Sequence, residues 1–246
     1  MEWPRLCAYV VVSTIAIVLR IKTRWRWRIT IDGYQLLFGV TGSSGFGYFS
    51  EVIAGHEYEL FRPALAAGQG TGVLLDCGAN AGFFSLWARR QNGRMKIYAF
   101  EPHPTTFTDL QTNIRINDEQ GDIFPENQAV GDVNGMLEFQ VWPDTNMAIV
   151  SALTETPRQA GAGLISVPVT TIDGFCANRG LRPTLLKVDV EGYEMEVLRG
   201  ASHTLEDVSA LVVEAHSPAL IDSCTALLEK KGFVVVRANS LLLGTK

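Results

Sequence analysis

Leu74-Leu75-Asp76-Cys77-Gly78-Ala79-Asn80-Ala81-Gly82-Phe83-Phe84 decides how this chain folds. An apolar strand runs into the acid Asp76, then into glycines at 78 and 82, then into the amphipathic run Phe83 to Arg90, so the order is strand, tight turn, helix. Gly78 and Gly82 permit backbone angles and close approaches that a Cβ would block. The amides that open the helix carry its partial positive charge. A turn of this kind at the carboxyl end of a parallel strand lays bare backbone against a ligand. The spacing is G-x-N-x-G and not the G-x-G-x-x-G of dinucleotide folds, which disfavours a nicotinamide-dependent oxidoreductase.

From Gly72 onward the chain alternates between strand and helix. Strands are expected at Val73 to Cys77, Lys96 to Phe100, Ile123 to Ala129, Leu185 to Asp189, Leu211 to Ala215 and Phe233 to Arg237, and helices at Phe83 to Arg90, Thr105 to Asn117, Tyr193 to Leu198 and Pro218 to Lys231. Continuous apolar strands separated by helices give an α/β, doubly wound, mostly parallel sheet covered on both faces. The regularity breaks between Val130 and Phe175, where Leu137 to Val141 and Ser166 to Thr170 read as an antiparallel excursion and Thr145 to Gly163 as a long polar loop of the kind that binds or covers ligands. Before the first strand, Gly55 to Ala67 has helical spacing with Tyr58, Phe61 and Leu65 on one face. Trp25 to Ile31, Asp32-Gly33 and Tyr34 to Val40 form a hairpin pattern, followed by the Gly/Ser-rich loop Thr41 to Gly47. The chain therefore divides into an amino-terminal segment, residues 1–54, and a domain, residues 55–246.

Its 246 residues, 47% apolar and 19% charged, suffice for one domain with a sizeable core. The formal charge of −5 supplies no domain-wide positive field, which excludes a general nucleic-acid binder and favours a small or neutral substrate. Cys7, Cys77, Cys176 and Cys224 stand far apart with no C-x-x-C pair, the usage of reduced cytoplasmic thiols and not of a zinc site or disulfide framework. Leu6 to Leu19 is uncharged and mostly apolar, between Arg5 and the basic run Arg20, Lys22, Arg24, Arg26 and Arg28. As a helix it would extend roughly 21 Å, short of the roughly 30 Å of a bilayer core. Basic, tryptophan-rich residues follow it where a signal-peptide cleavage site would need small ones. Two readings stand: an ordinary core element, or a peripheral membrane contact through residues 1–28, since Trp25, Arg26, Trp27 and Arg28 suit a headgroup interface.

The candidate chemistry collects at strand ends. Glu101 closes the second strand, 25 residues after Asp76, where an acid of a doubly wound sheet offers two oxygens to two adjacent ribose hydroxyls; a solvated loop acid is the plainer alternative. Lys187, Asp189 and Glu191 follow one another along the strand from Leu185, and Glu214 and His216 end the strand one crossover later. Lys187, Asp189 and Glu214 interrupt apolar strands, where an unpaired charge is expensive, so they must pair with one another or with a ligand. A purely structural ion-pair network would also satisfy them, although such networks concentrate at active sites. Asp189, Glu191, Glu214 and His216 would make a hard oxygen and imidazole set, but no tight ligand spacing supports it and no metal is expected.

With these residues in view, the chain resembles the FkbM family of S-adenosylmethionine-dependent methyltransferases. The resemblance rests on Val73 to Gly82, on Phe100-Glu101-Pro102, on Asn127-Gln128-Ala129-Val130-Gly131-Asp132, on Val169-Thr170-Thr171-Ile172-Asp173, and on Lys187-Val188-Asp189-Val190-Glu191-Gly192-Tyr193-Glu194 with Leu198-Arg199-Gly200-Ala201. It covers roughly residues 55 to 237. It implies a Rossmann-like class I methyltransferase fold, a seven-stranded sheet with one antiparallel strand near its edge, here with an amino-terminal helix and hairpin added. It implies that Asp76, Gly78, Ala79, Asn80, Gly82 and Phe83 cradle the methionine half of S-adenosylmethionine, that Glu101 and Pro102 meet the ribose, and that Ala129, Val130 and Asp132 flank the adenine. Glu59 is expected to fold over the site. Asp189 and Glu191 would lie beside the transferred methyl, with Lys187, Glu214 and His216 completing the catalytic set. The implied reaction is O-methylation of a sugar, glycolipid or secondary metabolite by a cytoplasmic enzyme. The alternative is a noncatalytic module that binds the cofactor or a membrane partner.

Overall fold

The computed structural model describes residues 24–31, 34–41, 58–67, 72–118, 121–141, 148–150 and 163–246. The apolar segment Leu6 to Leu19, the Asp32-Gly33 turn, the loop after Thr41, the boundary at residue 54 and most of the loop from Thr145 to Gly163 lie outside the described residues.

The chain opens with the hairpin, strand β1 (Arg24–Ile31) antiparallel to β2 (Tyr34–Thr41), in a register from Arg24↔Thr41 to Ile31↔Tyr34. A 3₁₀ turn (Glu59–Phe61) leads into helix α1 (Arg62–Ala67). Alternation then sets in with β3 (Val73–Cys77), α2 (Phe83–Gln91), β4 (Lys96–Phe100), α3 (Pro104–Asn117) and β5 (Ile123–Glu126). A second sheet interrupts it: β6 (Ala129–Val130), β7 (Gly135–Val141), β8 (Ala148–Val150) and β9 (Gly163–Thr170). The alternation resumes with α4 (Ile172–Arg179), β10 (Leu185–Val188), α5 (Glu194–Arg199), α6 (Thr204–Asp207), β11 (Ala210–Glu214) and α7 (Pro218–Lys230), and the chain ends on β12 (Val234–Ala238) and β13 (Leu241–Thr245).

The main sheet has seven strands in the order β12-β13-β11-β10-β3-β4-β5. β5, β4, β3, β10 and β11 are parallel neighbours, and β13 alone runs against β11 and β12. The chain starts at the central β3, winds outward to β5, then returns to β10 on the other side. A crevice therefore opens at the carboxyl ends of β3 and β10, where ligands of open α/β sheets bind. One apolar layer, under the hairpin and α1 to α3, contains Leu36, Phe38, Phe61, Leu74, Phe84 and Leu110. The other contains Phe100, Phe175, Leu186, Val188, Leu198 and Leu228. Helix α2 is buried along almost its whole length, and Phe38 of β2 stacks on its Phe83 at 4.3 Å.

Several features differ from the sequence reading. The strand expected from Ile123 to Ala129 breaks after Glu126, where Gln128 N bonds back to Glu126 O (3.0 Å), and Ala129 and Val130 cross to pair with Val169 and Thr170 in the second sheet. Within the supposed loop, Ala148–Val150 pairs with β7. The region expected to be irregular up to Phe175 already holds α4, whose first turn Thr171 caps (Gly174 N to Oγ1, 3.0 Å) and whose end Gly180 closes at φ 62°.

Candidate active site

The turn after β3 has its shape because the loop after β10 presses against it. Asp189 N extends the ladder to Cys77 O (3.0 Å), which carries the Asp189 carbonyl over Gly78. A Cβ on Gly78 would lie 1.7 Å from that oxygen, and Gly78 sits at φ +81°. The amides of Gly78 and Ala79 both point at Phe100 O (3.1 and 2.8 Å). Asn80 takes the left-handed conformation (φ 50°), and its side-chain oxygen accepts from Ala81 N at 2.6 Å. Short amide side chains tolerate that conformation through such local bonds.

Glu101 stands behind this turn. One carboxylate oxygen accepts from Asn80 N (3.0 Å) and the other from His103 N (2.8 Å). Burial pushes its pKa up to about 7, against the opposing pull of those two amides. A carboxylate offers about four lone-pair directions, so Glu101 retains acceptor capacity for a vicinal diol. Asn127 braces the loop by donating to Glu101 O (2.9 Å) and Pro102 O (3.2 Å).

The second half of the site forms at the ends of β10 and β11. Lys187 is 2% exposed and donates to Gly78 O at 2.7 Å, with Asp189 Oδ2 3.2 Å and Asp76 Oδ1 3.3 Å away. The approach to Asp76 Oδ1 is an ion pair without hydrogen-bond geometry, since that oxygen has no hydrogen-bond partner, while Oδ2 accepts from Ser85 Oγ at 2.6 Å. Burial opposes the charge of Lys187, yet Asp189 and Asp76 outweigh it and hold the ammonium above the usual lysine range. One buried cation thus ties the glycine turn to both carboxylates.

His216 lies on the same rim. Its Nδ1 is 2.7 Å from Glu194 Oε1, and its Nε2 faces Asp189 Oδ1 at 3.7 Å and Glu191 Oε2 at 3.6 Å. Burial works against its charge, but the hydrogen bond and charge of Glu194, then Asp189 and Glu191, push the imidazole up to about 9. Glu191 holds its place through a left-handed backbone (φ 54°) just before Gly192. Tyr58 reaches across from the 3₁₀ turn, its hydroxyl 3.4 Å from Asp189 Oδ2 and 3.3 Å from Glu214 Oε2, its ring edge-on to Phe84.

The structure therefore brings Asp189, Glu191, His216, Lys187 and Glu214 to one rim, and Asp76, Gly78, Ala79, Asn80, Gly82, Glu101 and Pro102 to the adjoining turn. Phe83 belongs to the apolar core through its stack on Phe38. Ala129 and Val130 are buried in β6, and Asp132 is exposed just beyond it. Glu59 is gripped by Arg62 (2.6 and 2.5 Å), so within the Tyr58-Glu59 pair the tyrosine is the residue seen to touch the rim. Sequence reasoning missed Tyr58, Glu194 and Ser85 as site residues. Glu194 stands in the sequence only as the last residue of the motif from Lys187, at the start of a helix, and Tyr58 only on an apolar helical face, while nothing local marks Ser85. Among the described residues no three His, Cys, Asp or Glu side chains converge to hold a metal ion. The donor set fits a nucleoside cofactor bearing a cation: a carboxylate behind the glycine turn, and acids two strands across.

Comparison with known proteins accounts for this arrangement. A family model described as the methyltransferase FkbM domain matches residues 76–235. Methyltransferase sdnD of Sordaria araneosa is 32% identical over 192 residues, 67% of this chain and 74% of that protein. The hexuronic acid methyltransferase AglP of Haloferax volcanii is 27% identical, over 71% of this chain and 68% of its own length. The 31-O-demethyl-FK506 methyltransferase FkbM of Streptomyces tacrolimicus is 28% identical, over 71% and 77%. In fold, the crystal structure of the SAM-dependent methyltransferase from Agrobacterium tumefaciens superposes with a TM-score of 0.52 at 12% identity, covering 89% of this chain and 69% of that one. The glycine turn, the acid behind it and the seven strands with β13 reversed are thus the frame of a known enzyme class, and the chain belongs to the FkbM family of S-adenosylmethionine-dependent methyltransferases.

Proposed function

We propose that this enzyme methylates a hydroxyl of a sugar, glycolipid or secondary metabolite. The observation that carries this reading is the clustering of Asp189, Glu191 and His216 at the ends of β10 and β11, across the crevice from the Asn80 turn. Two of its relatives, a hexuronic acid methyltransferase and a 31-O-demethyl-FK506 methyltransferase, support the acceptor class.

When bound, S-adenosylmethionine supplies a methyl on a sulfonium sulfur, an electrophile that needs alignment and a dry site more than activation. The chain's part is to hold both partners. In this reading the backbone from Gly78 to Gly82, with Asp76 and Phe83 beneath it, cradles the amino-acid end. Glu101 and Pro102 meet the ribose, and Ala129, Val130 and Asp132 border the base. Fixing two reactants in line supplies up to about 7–11 kcal/mol of the barrier in favourable cases. An alcohol is a poor nucleophile until its proton leaves, and a positioned base adds about 10²–10⁴ in rate. Asp189, or His216 Nε2 in its neutral form above the raised pKa of about 9, would take that proton as the O–CH₃ bond forms and the S–CH₃ bond breaks with its electron pair left on sulfur. Asp189 and Glu191 balance the imidazolium, and Lys187 keeps Asp189 in place.

Two measurements test the reading. Asp189→Ala is expected to lose turnover by at least about 10²-fold with cofactor affinity by calorimetry nearly intact; turnover near the wild-type rate would overturn it. A labelled-cofactor screen of hydroxylated glycans and metabolites should yield a methyl ether, and exclusive labelling of nitrogen or carbon would rule the hydroxyl out. We further propose a peripheral membrane contact through residues 1–28, favoured by the exposed Arg28 on a hairpin strand in which arginine and tryptophan alternate. Flotation with anionic vesicles should carry the full chain and leave behind a chain lacking residues 1–28; equal flotation of the two removes this contact.

A further inference from the structure

The buried acid Glu194 has no assigned part in this family frame, yet it stands 2.7 Å from His216. It is the first residue of α5 and is fully buried. One carboxylate oxygen accepts from Gly192 N at 2.8 Å and sits 2.7 Å from His216 Nδ1. The other oxygen is buried without a hydrogen-bond partner. The cation it meets is the imidazole of His216, carried on the segment between β11 and α7. A buried carboxylate half satisfied by one amide is costly unless a partner shares its charge.

We propose that Glu194 is a positioning residue that acts through His216, fixing the proton on Nδ1 and turning Nε2 toward Asp189 and Glu191, where the acceptor hydroxyl is activated. This rests on the reading of His216 as the base. The logic is that of a buried acid holding a histidine in one tautomer, so that the outward nitrogen is the one that takes a proton. The charged and titratable groups around the ring come from every side. They are Glu194 from α5, Asp189 and Glu191 from the loop after β10, Lys187 behind Asp189, Glu214 on the strand that leads to His216, and Tyr58 over Asp189 and Glu214. Among the described residues, only Glu194 is seen within hydrogen-bond distance of Nδ1. Its amide counterpart, glutamine, keeps the shape and removes the charge. It also presents an NH₂ that can donate to Nδ1 and so leave the proton on Nε2, the wrong nitrogen for a base.

The test separates the pair from the reaction. Ring resonances of His216, assigned through His216→Asn, are followed by NMR against pH in the full cofactor-free chain, wild type and Glu194→Gln. The wild-type midpoint is expected well above the ordinary histidine value, and Glu194→Gln should lower it by more than one pH unit. With cofactor and a productive acceptor, Glu194→Gln should cut kcat by about 10²-fold or more at its plateau, shift the rising limb of the pH profile with the NMR midpoint, and leave cofactor affinity unchanged. A midpoint that stays in place in Glu194→Gln overturns the proposal even if turnover falls, since that pattern marks a residue serving only to start α5. A wild-type midpoint at or below 6.5 overturns it without any variant. If instead the midpoint moves while wild type transfers no methyl to any hydroxyl, the pairing stands and the reading of the reaction is what fails.

Discussion

A methyl group added at Gly78 would meet the Asp189 carbonyl at 1.7 Å, and neither backbone can yield without breaking the β3–β10 register. Gly78→Ala is therefore expected to destabilise the fold by more than about 2 kcal/mol, joining a left-handed alanine to a backbone clash; a urea midpoint within error of wild type would show that the two loops are not in contact. Glu101 makes a different prediction. Its carboxyl lies near 7 because burial resists the charge, and hydroxyl donors from a ribose would favour the charged form. Cofactor binding near pH 6 should then release a proton, read in calorimetry as heat that varies with the ionisation enthalpy of the buffer. Glu101→Gln should abolish that release and weaken binding by about 1.5–3 kcal/mol. Buffer-independent heat at pH 6 would count against the ribose role. Residues of this half of the site were legible because the turn is local: the order acid, glycine, asparagine, glycine specifies its own backbone. Tyr58 and Glu194 were not, because each becomes a site residue only through packing across 131 and 22 residues of sequence.

At the level of elements, helix α3 does work that its helical pattern conceals. Asp109, Asn113 and Asn117, spaced by one turn, bond the free edge of β2. Asn117 pairs with Leu37 N and O (both 2.9 Å), Asn113 with Gly39 N (2.7 Å) and O (2.9 Å), and Asp109 with Thr41 N (2.6 Å). Three side chains thus act as a strand, closing an edge that would otherwise invite association. Asn113 also donates to Ala81 O at 2.8 Å, which links the hairpin to the glycine turn. Asn113→Ala should cost about 1–3 kcal/mol, the range for buried backbone groups left unpaired, and should speed amide exchange at Gly39; unchanged exchange there would mean the hairpin docks by apolar contact alone. The hairpin itself was readable from alternation, yet its docking was not, since three polar residues on a helix look like a solvated face. β13 escaped as well. Its run Leu241-Leu242-Leu243 follows a tight turn at Asn239 (φ 56°) that reverses the chain, and a short apolar run near a terminus carries no period to identify it.

Across the whole molecule, several of the motifs that marked the family turn out to hold its two sheets together. A Cβ on Gly200 would lie 1.9 Å from Gly131 O, so the loop after α5 closes directly on the turn after β6. Asp173 N donates to Gly200 O (2.9 Å), while its carboxylate accepts from Ser202 Oγ, His203 N, and Thr204 N and Oγ1 at 2.7–3.1 Å. Burial alone would raise the Asp173 pKa, but those donors outweigh it and lower it, so its contribution is present above 3.8 and fades only as pH falls through the lowered folded value. Glu101 and His216 act in the opposite sense. Both are raised on folding, Glu101 from 4.5 to about 7 and His216 from 6.5 to about 9, so each contribution is complete below the first value and lost as pH climbs through the second. The cofactor-free enzyme should therefore be most stable in mild acid and lose stability in two steps, one completed near pH 7 and one near pH 9. Urea midpoints taken from pH 5 to 9 should fall throughout that range, Glu101→Gln should remove the lower step, and His216→Asn the upper. A midpoint that rises from pH 5 to 9 would show that neither the burial of Glu101 nor the pairing of His216 with the rim carboxylates governs the pH dependence of the fold.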